Sequence, residues 1–175
     1  MKTYAARDVA RLGLLGSIAL VLFVLEALAP RPLPWMKLGL GNIGVLLALL
    51  MYGFAAALCV STLKLVVGGL ISGGLGGPAF LVSGGAGLAS LAVMAAVKRA
   101  GPTLFSPVGL STVGALIHQV MQLILAYLLF IDHASLFAFL PLALINGLIS
   151  GILIGLLVYW SLEKIRANGW LAMRR

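Results

Sequence analysis

His118 and Gln122 stand four residues apart in the run ALIHQVMQLILAYLLF. On a helix that spacing puts both side chains on one face, one turn apart. The histidine can donate, accept or change its charge near neutral pH. The glutamine offers donors and an acceptor that fix the orientation of a ligand. Lys64, in STLKLVVGG, adds a cation for an anionic group, and Asn146, in ALINGLISG, a second amide. Lys37 and Asn42, in WMKLGLGN, flank the start of another apolar run, and Glu26 lies near the end of the run before it. The chemistry these types permit is recognition by charge and hydrogen bonding.

Catalytic patterns are missing from the sequence. No glycine-rich loop ending in Lys-Ser/Thr is present, so the chain does not hydrolyse ATP by itself. The acidic residues are Asp8, Glu26, Asp132 and Glu163, spread along the chain with no paired cluster. No Ser-His-acid or Cys-His spacing stands out, and Cys59, the single cysteine, has no partner for a disulfide or a metal. It reads as a small core residue. No enzyme, resident cofactor or metal is expected.

The elements that must position these polar groups follow from composition. Of 175 residues, 62% are hydrophobic and 9% charged, against roughly 45–50% and about 25% in soluble domains. No water-soluble surface can be built from so few charges. The apolar runs reach the ~20 residues needed to cross a bilayer. The expectation is an all-α polytopic membrane protein in a single transmembrane domain, residues 1–175, in the bacterial inner membrane. The formal charge of +8 then reflects cytoplasmic loops and not nucleic acid. The first apolar run, about 18 residues long, exceeds the usual core of a signal peptide and reads as a retained helix.

Spans are expected at about 11–29, 39–54, 56–73, 79–98, 107–131 and 137–163. The stretch 38–77 could hold one helix or two, and charge decides. With two, six transmembrane helices result, with the N- and C-termini cytoplasmic. Lys2, Arg7, Arg11, Lys98, Arg99, Lys164, Arg166, Arg174 and Arg175 then all lie inside. With one, every cation after residue 90 moves outside, against the positive-inside rule. On six spans, Lys64, His118, Gln122 and Asn146 lie at the midplane or in the outer half. Lys37 and Asn42 flank the outer start of helix two. Ionisable groups at such depth are functional candidates by default. Alternatives stay open for each: Lys37 and Glu26 as snorkelling anchors, Asn146 as an interhelical hydrogen bond, His118 satisfied by a carbonyl.

The second and third spans are short, a feature of transporter binding sites. GGLISGGLGGP, residues 68–78, reads either as a tight turn or as a flexible outer lid. Asp132 and His133 read as the polar end of helix five. Small residues mark helix contacts in lipid. Ala143, Gly147, Gly151 and Gly155 form one stripe, and Gly13 with Ser17 a weaker one. Either could pack inside the chain or dock a separate subunit.

KLGLGNIGVLLALLMYGFAAAL and ALIHQVMQLILAYLLF together resemble the Gx transporter family, often called heptaprenyl diphosphate synthase component I. The resemblance covers about residues 10–165. It rests on Lys37 to Ile43, the cation Lys64, the glycines Gly84, Gly85 and Gly87, and the His118–Gln122 pair. That family is similar to the substrate-binding components of energy-coupling-factor vitamin transporters. The likeness implies six helices, an outward-facing pocket, and docking through helix one onto a coupling subunit that carries two ATPases. The synthase label does not fit the residues as an activity. Prenyl elongation needs clustered aspartates for magnesium, since hard cations want carboxylate oxygens, and Asp8 and Asp132 make no such cluster.

Three functions are therefore weighed. The leading one is a binding component for a small anionic or amphipathic metabolite, lined by Lys37, Asn42, Lys64, His118, Gln122 and Asn146, working with ATPase subunits. The rivals are a non-catalytic accessory of isoprenoid or quinone synthesis and a subunit of a flavin- or quinone-linked redox complex. Membrane lipid and other membrane subunits are the partners in every case.

Overall fold

A computed structural model describes residues 6–28, 38–101 and 105–168. Among these described residues six α-helices form: α1 (Ala6–Leu28), α2 (Asn42–Met51), α3 (Phe54–Ile71), α4 (Pro78–Ala100), α5 (Pro107–Ala126) and α6 (Leu140–Ala167). Between α5 and α6 the chain makes a π-helical turn, Tyr127–Ile131, and a 3₁₀ stretch, Ala134–Phe139. There is no strand among the described residues. Five helical segments among the described residues are long and apolar enough to cross a membrane. Their outward faces carry leucine, valine and isoleucine, such as Val21 and Leu25 on α1 and Ile149 and Leu153 on α6.

The helix starts follow from sequence. Pro78 and Pro107 open α4 and α5, where a missing N–H costs nothing. The Ser106 side chain accepts from Gly109 N–H at 3.2 Å and caps α5. Gly53, with φ of +95°, separates α2 from α3. The glycine-rich stretch after α3 is a hydrogen-bonded turn: Gly74 N–H donates to Gly69 and Gly77 N–H to Gly74.

The second helix departs most from expectation. In place of a span over 39–54 there is a helix of 10 residues, about 15 Å long at 1.5 Å per residue. That is half of a ~30 Å hydrocarbon core. It is also apolar on every side, and Val45 to Leu49 are each no more than 5% exposed. A helix hydrophobic all round belongs inside a bundle, and α2 sits against α1, α3 and α6.

The remaining contacts close a ring: α1 on α3, α3 on α4, α4 on α5 and α5 on α6. Glycines record the directions. The site of a Cβ on Gly68 falls on Phe23, so α3 runs parallel to α1. Gly84 meets Leu65, Gly85 meets Leu125, and Gly151 meets Thr112, so α3, α4, α5 and α6 alternate. Both ends of the described chain therefore lie at the end of the bundle that holds Lys98. Arg7, Arg11, Arg99, Lys164 and Arg166 lie at that end too. Lys98 itself reaches inward, and its Nζ donates to the carbonyls of Leu49 (2.7 Å) and Leu50 (3.1 Å). A cation on the last carbonyls of a helix complements its dipole, so Lys98 closes the C-terminus of α2.

Of the two small-residue stripes, that of α6 faces inward. A Cβ on Gly147 would meet Gln119 and Ala115, and one on Gly155 would stand 2.5 Å from Val108 Cα. Gly13 has nothing within 4 Å of the same position, and Ser17 is exposed, its hydroxyl donating to Gly13 O at 2.9 Å. Cys59, read as a core residue, is exposed on α3. The phase of α3 turns Ala56, Ala57 and Val60 into the core instead.

The closest approach is that of α1 to α2. A Cβ on Gly44 would stand 2.5 Å from Leu15 O and 2.8 Å from Ala19 Cβ. Overpacking of this kind costs roughly 1–3 kcal/mol. In thermal unfolding in detergent, Gly44→Ala is expected to lower Tm by several degrees. Gly13→Ala, with open space at the same atom, should leave Tm unchanged or raise it, since alanine is the better helix former.

Candidate functional site

The backbone that enters α2 is not helical. Residues 38–41 form an irregular turn at the level of the last turns of α1. Amide groups at membrane depth must find partners inside the protein. Here they find Glu26, whose carboxylate accepts from Gly39 N–H at 2.5 Å and from Leu40 N–H at 3.0 Å. Glu26 is 9% exposed. The snorkelling reading of this residue is therefore corrected, because its oxygens are held by the turn and do not reach for an aqueous interface. Asn42 N–H bonds back to Gly39 O at 2.8 Å and closes the turn. Gly39 has φ of +74°, which side chains disfavour. A Cβ on Gly41 would stand 2.8 Å from Ala19 O. The spacing of glycines in KLGLGNIG is thus set by one positive φ and two close approaches to α1, at Gly41 and Gly44.

Above this turn the half-height of α2 leaves a space that the other helices enclose. It is a cavity of about 210 Å³. Asn42 and Lys64 form one side of it. Lys64 Nζ donates to Asn42 Oδ1 at 2.6 Å and lies 5.9 Å from the centroid of the Phe23 ring. The charge is thus held by an amide and faced by an aromatic surface, a favourable cation–π arrangement. His118 and Gln122 of α5 form the facing side, one turn apart as their spacing predicts. Glu26, Ser61, Ser83 and Ser150 add further polar groups. The N-terminus of α2 points here, and a half-helix of this kind brings its positive end to the middle of the bundle.

Four of the six residues singled out from sequence thus come together from three helices: Asn42, Lys64, His118 and Gln122. Lys37 lies outside the described residues. Asn146 is buried, at 6% exposure, and does not line the cavity. Its place on α6 is one turn before Ser150, which does. Its amide is satisfied within the protein, in keeping with an interhelical contact.

Two residues lie outside the six singled out from sequence. Glu26 reads from sequence as a polar group near the outer end of the first span or as a snorkelling anchor, although a carboxylate shortly before a glycine-rich segment is also a ready acceptor for its amides. Gln119 is 8% exposed and lines the cavity beside His118. The pattern HQVMQ offers two glutamines, and reading the face shared with His118 selects only Gln122. Among the described residues no three of His, Cys, Asp and Glu converge.

Removing the carboxylate tests the role of the turn. Glu26→Ala would strand two buried N–H groups, each worth about 1–3 kcal/mol when unsatisfied. A lower Tm and faster amide exchange at Gly39 and Leu40 are expected. Glu26→Gln, which keeps one acceptor oxygen, should fall between. Wild-type exchange rates in Glu26→Ala would show that the carboxylate does not hold the turn.

The heptaprenyl diphosphate synthase component I family matches the chain over residues 15–160. No curated protein and no solved structure matches it. The matched stretch contains every residue around the cavity, from Phe23 to Ile154. The half-helix, its carboxylate clasp and the polar chamber above it all lie within that stretch, and the chain belongs to the heptaprenyl diphosphate synthase component I family.

Proposed function

We propose that this protein binds a small, oxygen-rich anionic or amphipathic metabolite in the chamber above α2 and passes it across the membrane with partner subunits that hydrolyse ATP. The observation that carries this reading is the Lys64–Asn42 pair at the head of a half-helix, lining one cavity with His118 and Gln122. A lysine at this depth is costly. Its position beside amide donors and a helix N-terminus suits an anion, which such helix ends favour.

The end of the bundle that holds Lys98 is proposed to face the cytoplasm. The cations Arg7, Arg11, Lys98, Arg99, Lys164 and Arg166 gather there, as the positive-inside rule requires. The chamber then lies toward the exterior, in the inner membrane of a bacterium. The chain has no phosphate-binding loop of its own, so an ATPase must come from a separate subunit. The exposed Gly13–Ser17 face of α1 is one surface on which such a subunit could sit.

Purification from native membranes, with mass spectrometry of bound small molecules and proteins, tests the reading. A bound anionic compound and co-purifying ATPase subunits are expected. Lys64→Met should reduce the bound compound at least tenfold while yield and Tm stay as in wild type. An undiminished amount would remove Lys64 from the site. Recovery with flavin or iron–sulfur subunits and no small molecule would reject transport in favour of a redox complex.

A further inference from the structure

A second cavity, of about 410 Å³, adjoins the chamber. Ser83, Gln119 and Gln122 line both. Beyond these three residues the second space runs toward the end of the bundle opposite Lys98. Its lining there is almost wholly apolar: Val82, Leu123, Ala126, Phe130, Ile131 and Phe139. It follows α5 from Gln119 to Ala126, roughly 10 Å at 1.5 Å per residue, and continues along the π-helical turn to Phe130 and Ile131. The two spaces thus differ in chemistry and share a wall of two amides and a hydroxyl.

We infer that the site takes a single-chain amphiphile, with its anionic head in the chamber beside Lys64 and its apolar tail along α5 in the adjoining groove. This rests on the binding reading above and narrows it. Lys64 and the N-terminus of α2 are positive, and the Glu26 carboxylate is turned onto Gly39 and Leu40 N–H. Gln119 and Gln122 stand where head and tail join, able to bond to oxygens at that junction. The π-helical turn at Tyr127–Ile131 swings Phe130 and Ile131 onto the groove, and such turns are frequent at functional sites. The 3₁₀ stretch adds Leu136 and Phe139, and the ring of Phe137 lies 5.5 Å from that of Tyr127. The far end of the groove is thus lined by half-exposed apolar side chains, Phe130, Ile131 and Phe139.

Two probes test this on the full chain in lipid nanodiscs. One is a ten-carbon alkyl phosphate with a terminal photoreactive diazirine, its labelling sites mapped by mass spectrometry. The other is methyl phosphate, read as a thermal shift. Saturable labelling between Leu123 and Ile131 and at Phe139 is expected. Ala126→Trp should cut that labelling about tenfold and keep the methyl phosphate shift. Val82→Phe should do the same where the first variant folds poorly. Lys64→Met should lose both signals. Labelling spread over the outer faces of α1 and α6, with the methyl phosphate shift intact, would overturn the head-and-tail arrangement and leave the chamber reading standing. Groove labelling indifferent to Lys64→Met would mean that bilayer lipid fills the groove, and would also overturn it. Neither labelling nor a shift would sink both proposals.

Discussion

One carboxylate, buried among apolar helices, supports the rest of the architecture. A chain that stops being helical within the bilayer exposes amides that lipid cannot satisfy. Glu26 takes two of them. A hydrogen bond to a carboxylate is worth about 1.5–3 kcal/mol. With the turn secured, α2 can begin halfway through the bundle. Because it begins there, the space above it is free, and four polar side chains from three helices face into it. Without the carboxylate the turn has no acceptor for these amides, and without the turn there is no chamber.

Much of this is visible in the sequence, and the reasons for the rest are physical. Helix positions for α3 to α6 come within a few residues because Pro78, Pro107 and the terminal cations punctuate long apolar runs. The pairing of His118 with Gln122 follows from helical periodicity alone. The length of α2 does not. Its apolar run continues unbroken through residues 43–52, and hydropathy cannot tell a buried half-helix from a lipid-facing span. Glycines at 39, 41 and 44 carry that information, but only as backbone geometry. Asn146 and Gln119 fail in opposite directions for one reason: a buried amide serves either a neighbour or a ligand, and the rotational phase between helices decides which. Phase between neighbouring helices depends on ridge packing at contacts such as Gly147 on Gln119, which no single helix encodes.

The glycines divide between two kinds of work. Those of α6 let it lie against the backbone of α5 from Val108 to Ala115. That contact makes the wall from which His118, Gln119 and Gln122 project. Those around α2 bring α1 close enough for Glu26 and Phe23 to reach the turn and Lys64. Close backbone packing is the main source of helix adhesion in lipid. The helices that carry the chamber's polar groups are therefore brought together largely through close approaches at glycine.

The two ends of α2 are bonded to different neighbours. Its leading turn is bound to α1 through Glu26, and its trailing carbonyls to α4 through Lys98. Both α1 and α4 contribute to the chamber wall, through Phe23 and Glu26 on one and Ser83, Gly84 and Gly87 on the other. The short helix is thus a tie rod between opposite walls. It caps how far they can draw apart, and any widening must first extract a charged group from its amides or carbonyls.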